Sequence, residues 1–528
     1  MFAFFLKFIS VCIQLLSVVL YVVVSLLLKY FSLESLIIAD SDFPRDLVTY
    51  SLVSNTKTGL LSLLSAPSTL GIVLYSTIFF RFGLASIKNL SKSDDGDKVS
   101  DIVQNSMTRL SQLANYSGSK VPDNYNKYPN KDSKELLKHF LRCNPYFTGF
   151  LIPDQESTGF KIDSYDNSSK NNRFVEIIAC MDFSLDRINA TFGPDMTLTS
   201  ICYVTKDGEE GTALTGPDMD TATSKLVFNL LFAAEAIHLA FHIYHYLMNV
   251  GLVHACLDNS TLLAWAKTYT YSVDIGLFAV DLTLLNERWG SLVVSPIKSN
   301  RTQLLGVIRK MMAEWGGLKT SDDFVKSWLF PMTYDRLTSN GHVSAFLDQA
   351  GLAAKYATDL SKAVKKVTKN IEEFNIIELK LKTFLTNVGS GAQPLSQVSD
   401  LTTWIQLMSV TSIFHGLTPS FTRLAFSNEY YQYTNNNPTY GQSDVNFIYI
   451  AFLTMAIVAP NKYAYSDKNF PRSLKKVIQT YDQQTKDLKT DYMKQIKRDS
   501  DLFNNHGWIY ADYFPDNFDC RSLGLAYY

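Results

Sequence analysis

The sequence predicts a mainly α-helical protein, a large helical domain behind an N-terminal transmembrane helix. Three observations carry this expectation. Apolar residues recur at helical spacing through most of the second half of the chain. Strand-like alternation is confined to two short pieces, Phe174–Cys180 and Leu198–Thr205. Residues Phe8–Leu28 form one uncharged apolar run between Lys7 and Lys29, the length a helix needs to cross a bilayer.

Three regions follow. Residues 1–30 read as a membrane anchor, 31–130 as a membrane-proximal segment and linker, and 131–528 as the helical domain. An uncleaved anchor is preferred to a cleaved signal because the run stays rich in Val and Leu to its end and no A-x-A site follows. Lys7 and Lys29 balance each other, so orientation is not set. A second uncharged run, Thr58–Phe80, is broken by Pro67 and Gly71. It fits a second span, an interfacial segment or a buried piece of the domain. From Leu90 to Lys131 the chain turns to Ser, Asp, Asn and Lys, with the acidic Ser91–Lys98 run. This reads as a solvated linker with one short amphipathic helix at Ile102–Leu113.

The helical domain opens with a helix from Ser133 that ends at Asn144-Pro145, since the residue before proline disfavours the helical region. The strand at Leu198–Thr205 closes in Lys206-Asp207-Gly208, a hairpin-type turn. Further helices are expected at Leu262–Val273, Leu304–Gly316, Asp323–Leu329, His342–Lys380 with breaks, and Asp400–His415. Gly389–Pro394 is a loop, Asp444–Val458 is strongly apolar, and Arg472–Arg498 is a charged amphipathic helix. The tail from Trp508 to Tyr528 is aromatic and lacks lysine, and is expected to pack into the core.

Composition excludes several classes. Lys+Arg 49 against Asp+Glu 50 gives a net charge of −1, without the basic excess of a nucleic-acid binder. Cys12, Cys143, Cys180, Cys202, Cys256 and Cys520 show no CxxC spacing, so neither a zinc ribbon nor a disulfide framework is read. Cys202 and Cys256 read as small buried hydrophobes. There is no G-x-S-x-G elbow for hydrolase chemistry and no glycine-rich phosphate loop.

The stretch that carries chemistry is Ser224–Cys256, which holds four of the eight histidines in an apolar run without proline. On a helix, Glu235, His238, His242 and His245 stand at i, i+3, i+7 and i+10 and share one face. An unpaired buried imidazole is costly, so the stripe is either a polar seam satisfied by neighbours or a metal site. His238 and His242 have the i, i+4 spacing that holds metal on a helix. A lone His254 or His342 reads as a core residue bonded to a carbonyl. A membrane di-iron desaturase would need further histidine boxes that His139, His342 and His506, each isolated, do not supply. A ferritin-like site would need a second Glu-x-x-His beside Glu235-x-x-His238.

In the order of its parts, the region 131–528 resembles a lipoxygenase catalytic domain. Leu141-Arg142-Cys143-Asn144-Pro145 stands where that family has Leu-x-x-x-Asn-Pro, one residue shorter. The strand and Asp207-Gly208 turn precede the histidine helix, and Ser224-Lys225 stands for the family's Ala-Lys opening. Trp404–His415 matches the later metal helix, followed by Glu429-Tyr430-Tyr431-Gln432-Tyr433 and Asn437-Pro438-Thr439. The apolar tail ends in Tyr528 where the family usually ends in Ile, whose terminal carboxylate is a ligand.

The resemblance implies a lipoxygenase-like helical fold and an iron or manganese dioxygenase acting on a polyunsaturated fatty acid or related lipid. It also implies a ligand set drawn from His238, His242, His245, His415 and the Tyr528 carboxylate. The spacing departs from the family, whose metal helix uses two histidines five residues apart. Counted without gaps from Ser224-Lys225, those positions fall on Ala236 and Phe241; counted back from Tyr430-Tyr431, the later pair falls on Ser420 and Leu424. Two outcomes stay open, a site shifted by about a turn or a metal-free membrane protein that binds lipid or a protein partner.

Overall fold

Alternation of inward and outward side chains builds the first layer. The structure is a computed structural model. It describes residues 151–163, 173–179, 187–204, 210–213, 251–257, 260–270, 301–331, 333–339, 344–368, 371–387, 400–417 and 471–498, with single positions at 137, 138, 141, 148–150, 398 and between 219 and 249. Five strands, β1 (Ile152–Pro153), β2 (Phe160–Asp163), β3 (Arg187–Phe192), β4 (Leu198–Val204) and β5 (Glu210–Ala213), form one sheet in that order. Every pairing is antiparallel. The register sets Phe160 opposite Phe192 and Ile162 opposite Ala190, which in turn faces Ile201. These five side chains are buried, so one face of the sheet lies on the core, as side-chain period two requires.

Two devices fix the sheet. Gly159 approaches β3 so closely that a Cβ would fall 1.9 Å from the Phe192 carbonyl oxygen, and Arg336 Nη1 donates to the carbonyls of Asp154 and Gly159, each at 2.8 Å. In the β3–β4 turn, Gly193 N donates to Thr197 O (2.8 Å), and the buried Met196 takes a positive φ of 67°. Asp195 accepts from Thr197 Oγ1 (2.6 Å) and Lys138 Nζ (2.9 Å). Partial burial alone would raise its carboxyl, but these bonds outweigh that and hold it well below the usual carboxylate range.

The remainder is helical. In chain order the helices are α1 (Arg173–Ala179), α2 (every described position between 219 and 255), α3 (Thr261–Thr270), α4 (Arg301–Gly316), α5 (Ser321–Asp323), α6 (Tyr334–Ser339), α7 (Ser344–Val367), α8 (Ile371–Asn387), α9 (Leu401–Leu417) and α10 (Arg472–Arg498). Helix α5 opens with a Thr320–Asp323 capping box and runs into a π-helical stretch, Phe324–Leu329. Helix α9 is the axis of the domain. From Leu401 to Phe414 only Thr402 is not buried, and a largely apolar helix buried on every side belongs in a core. It starts at Asp400, whose Oδ1 accepts from Thr403 N (2.8 Å), while Glu378 of α8 accepts from Leu401 N (2.9 Å). Helix α10 lays Leu474, Ile478, Tyr481 and Thr485 inward. It packs on α7 through Tyr356–Tyr481 (5.2 Å between centroids) and Tyr481 Oη to Asp359 (2.6 Å).

The mainly helical expectation holds, with the sheet as an addition to it. Helices expected at Leu304–Gly316, Asp400–His415 and Arg472–Arg498 are present. Of Phe174–Cys180, expected as a strand, the described residues Phe174–Ala179 belong instead to helix α1, with Phe174 and Ile177 buried three residues apart. A short apolar run does not by its composition distinguish the two states. Cys202, expected buried, lies exposed on the outer face of β4, whereas Cys256 is buried. Among the described residues no helix is long and apolar enough to cross a membrane. The anchor Phe8–Leu28, the run Thr58–Phe80, the linker, the Gly389–Pro394 loop, Asp444–Val458 and the tail lie outside the described residues.

Removing the α9 cap with Asp400→Ala should cost about 1 kcal/mol, read as a lower urea midpoint with unchanged slope. Because the Asp195 carboxyl is more acidic folded than unfolded, its stabilisation is complete above the ordinary value and fades as pH falls towards the folded one. Asp195→Asn should therefore be less stable than wild type at neutral pH, with the gap closing below about pH 4.

Candidate functional site

Helix α2 presents an apolar face at i, i+3 and i+4. Leu226, Leu230, Ala233, Ala236, Ile237, Ala240, Phe241, Tyr244, Leu247 and Met248 are all buried. Around Phe241 this face meets three elements. Phe241 stacks on Trp315 of α4 (4.5 Å, interplanar angle 4°), lies 5.8 Å from both Phe324 and Trp328 of the π-helical stretch, and lies 6.4 Å from Phe414 of α9. Tyr244 meets Trp315 edge-on at 5.2 Å, and Trp315 meets Trp328 edge-on at 4.9 Å. Offset and edge-to-face pairs of this kind add to the burial energy of each ring.

Helices α2 and α9 cross closely. Trp404 Nε1 donates to the Met248 carbonyl at 3.0 Å. A Cβ on Gly251 would fall 2.8 Å from Phe384 and 2.9 Å from Trp404, so this approach needs glycine. Trp404 meets position 248 and Phe414 meets position 241, so the two helices run antiparallel. Position 415 on α9 therefore lies near the level of Phe241.

The outer wall of the aromatic cluster is polar. Arg173 of α1 stands half-buried with Cζ 3.9 Å from the Trp328 ring centroid, and its guanidinium donates to the Trp328 carbonyl. Burial pulls this guanidinium down to about 10, partly offset by Glu314 and Glu176, so it stays charged at neutral pH. Trp328 Nε1 donates to Glu314 Oε2 at 2.8 Å, and Glu176 pairs with Lys310. Inside the wall, Tyr244 Oη, Trp315 Nε1, Ser409 Oγ and Ser412 Oγ are buried and have no hydrogen-bond partner among the described residues. Burial pushes the Tyr244 phenol well above its ordinary value.

His238, His242, His245 and Tyr528 lie outside the described residues, and of His415 the helical position is described but not the side chain. His342 also lies outside them. His254 stands half-buried near the end of α2. Among the described residues no group of three or more His, Cys, Asp or Glu side chains could hold a metal ion. Ala236 and Phe241, the two positions reached by ungapped counting, are buried apolar residues that cannot ligate. Sequence reasoning did not find Arg173, Glu314, Trp315 and Trp328. They come from three segments, α1, α4 and the π-helical stretch, and no spacing pattern links these.

No family model matches the sequence, and no curated protein matches it. By structure the chain is similar to lipoxygenases. A crystal structure of a LOX deletion variant matches with TM-score 0.53 and 10% identity over 82% of this chain and 75% of that one. That variant in complex with arachidonate matches with TM-score 0.52 and 10% identity over the same shares. A 9R-lipoxygenase from Cyanothece PCC8801 matches with TM-score 0.45 and 12% identity over 75% and 70%.

Gly251→Ala should destabilise the domain by about 1–3 kcal/mol through overpacking against Phe384 and Trp404. Thermal unfolding followed by circular dichroism would read this as a lower midpoint.

Proposed function

We propose that this chain, which has a lipoxygenase-like fold, is a non-haem iron or manganese dioxygenase that inserts O2 into a polyunsaturated fatty acid or related lipid. The observation that carries the reading is the fold itself. A long buried helix, α2, crosses antiparallel to α9 and brings position 415 near the level of Phe241. One structure similar to this chain is a LOX in complex with arachidonate. The proposed ligands are His238, His242 or His245, His415 and the Tyr528 carboxylate. Neutral imidazoles with one carboxylate, leaving a position open, suit non-haem iron. A metal held there would supply the one-electron redox chemistry. The described residues supply a buried, water-excluding cluster of rings, Phe241, Trp315, Phe324 and Phe414, against which an apolar acyl chain could pack. The run Phe8–Leu28 is proposed to anchor the domain at a bilayer, where a lipid substrate resides.

A second reading is favoured by Ala236 and Phe241. With those positions apolar and packed, the fold would serve without metal, as a membrane protein that binds lipid or a protein partner.

Metal content of the purified full chain by mass spectrometry, with oxygen uptake on a polyunsaturated fatty acid, separates the two. The dioxygenase reading expects near-stoichiometric iron or manganese and conjugated-diene hydroperoxide product. It also expects both to fall sharply in His238→Ala and His415→Ala. Trace metal and no oxygen uptake would sink it in favour of the second reading. Unchanged metal in both variants would overturn the ligand assignment alone.

A further inference from the structure

The aromatic cluster is graded in what each ring can do with a proton. Tyr244 and Trp315 are fully buried, and among the described residues neither the phenol nor the indole N–H has an acceptor. Trp328, edge-on to Trp315 at 4.9 Å, is nearly as buried, yet its Nε1 donates to the carboxylate of Glu314, an exposed residue. An oxidised indole is an acid of roughly carboxylic strength, so a carboxylate at 2.8 Å is a competent base for it. The Arg173 guanidinium 3.9 Å above the Trp328 ring disfavours positive charge there, which penalises the radical cation and favours the deprotonated radical. Trp404 offers no such route, because its indole donates to the Met248 peptide carbonyl, which is a poor base.

We propose that Trp315 and Trp328 form a one-electron redox pair, with Trp328 as the terminal site and Glu314 as its proton acceptor. A one-electron oxidant takes an electron from Trp315; Trp328 refills it. The Trp328 radical cation then passes its Nε1 proton to Glu314 Oε2, leaving a neutral indolyl radical and a carboxylic acid. A thiol or ascorbate at the surface returns the electron, and Glu314 returns the proton. The pair goes beyond the dioxygenase reading and does not depend on it. Where that reading holds, a stray lipid peroxyl radical is an oxidant of the right class, becoming a hydroperoxide on gaining one electron and one proton.

The test is laser flash-quench of the purified full chain with a ruthenium tris-bipyridine sensitiser and an irreversible electron acceptor, read by transient absorption and electron paramagnetic resonance. This needs no bound metal, so its outcome is distinct from that of the oxygen-uptake assay. Wild type should give a neutral indolyl radical, and Trp328→Phe should lose most of it while Trp404→Phe keeps it. Glu314→Gln, on an exposed side chain whose amide oxygen can still accept the hydrogen bond, should replace the neutral radical with a shorter-lived radical cation. Unchanged neutral radical in Trp328→Phe would overturn the proposal. So would identical spectra and decay in Glu314→Gln, which also decides the matter if Trp328→Phe does not fold.

Discussion

The close crossing of α2 over α9 is the constraint on which the rest of the domain depends. It is set where Gly251 lets Phe384 and Trp404 approach the α2 backbone and Trp404 donates to the Met248 carbonyl. A side chain at 251 would hold the helices apart at one end and pull Phe414 away from Phe241 at the other. The polar contact matters because an indole N–H buried without a partner costs more than its bond contributes. Around this crossing the other elements act as supports. Helix α8 supplies Glu378 to the first turn of α9, and Ser321, at the start of α5, donates to Gln406 from the backbone (3.2 Å) and to the Ala354 carbonyl from its hydroxyl (2.7 Å).

Polar groups inside this core fall into two kinds. Those towards the start of α9 are matched: Asp400, Glu378, Ser321 and Gln406 each meet a donor or acceptor. Towards its middle Thr411 donates to the Leu407 carbonyl (2.6 Å), but Ser409 Oγ, Ser412 Oγ and, nearby, Tyr244 Oη and Trp315 Nε1 have no partner among the described residues. Buried polar groups are ordinarily satisfied. A cluster of exceptions beside the aromatic wall marks the region where the fold departs from pure packing. It also concentrates the chemistry at the edge, where Glu314 and Arg173 flank Trp328.

Much of the architecture was legible because periodicity is a local property. Helix α10 begins and ends at Arg472 and Arg498 as its charged amphipathic pattern expects, and β4 follows the alternation at Leu198. Phe174–Ala179 was misread because six apolar-rich residues satisfy strand and helix templates alike, and its packing against the rest of the core chose between them. Strands β1, β2, β3 and β5, from two to six residues in length, were missed because the signal of a short strand resides in its pairing partner. Cys202 was misplaced for the same reason, since strand register, not residue type, decides which face meets water.

The candidate site divides along the same line. By itself the sequence determined a helical domain, a histidine-bearing helix, and an order of parts similar to lipoxygenases, because each depends on neighbours within a few turns. Only the tertiary structure decided which side chains meet: Arg173 with Trp328 across 155 residues, Trp404 with Met248 across 156, and Phe241 with Phe414. Such pairings are set by how buried faces close on one another, and a face made of Ala, Phe and Trp shows what it avoids, water, but not which partner it will find.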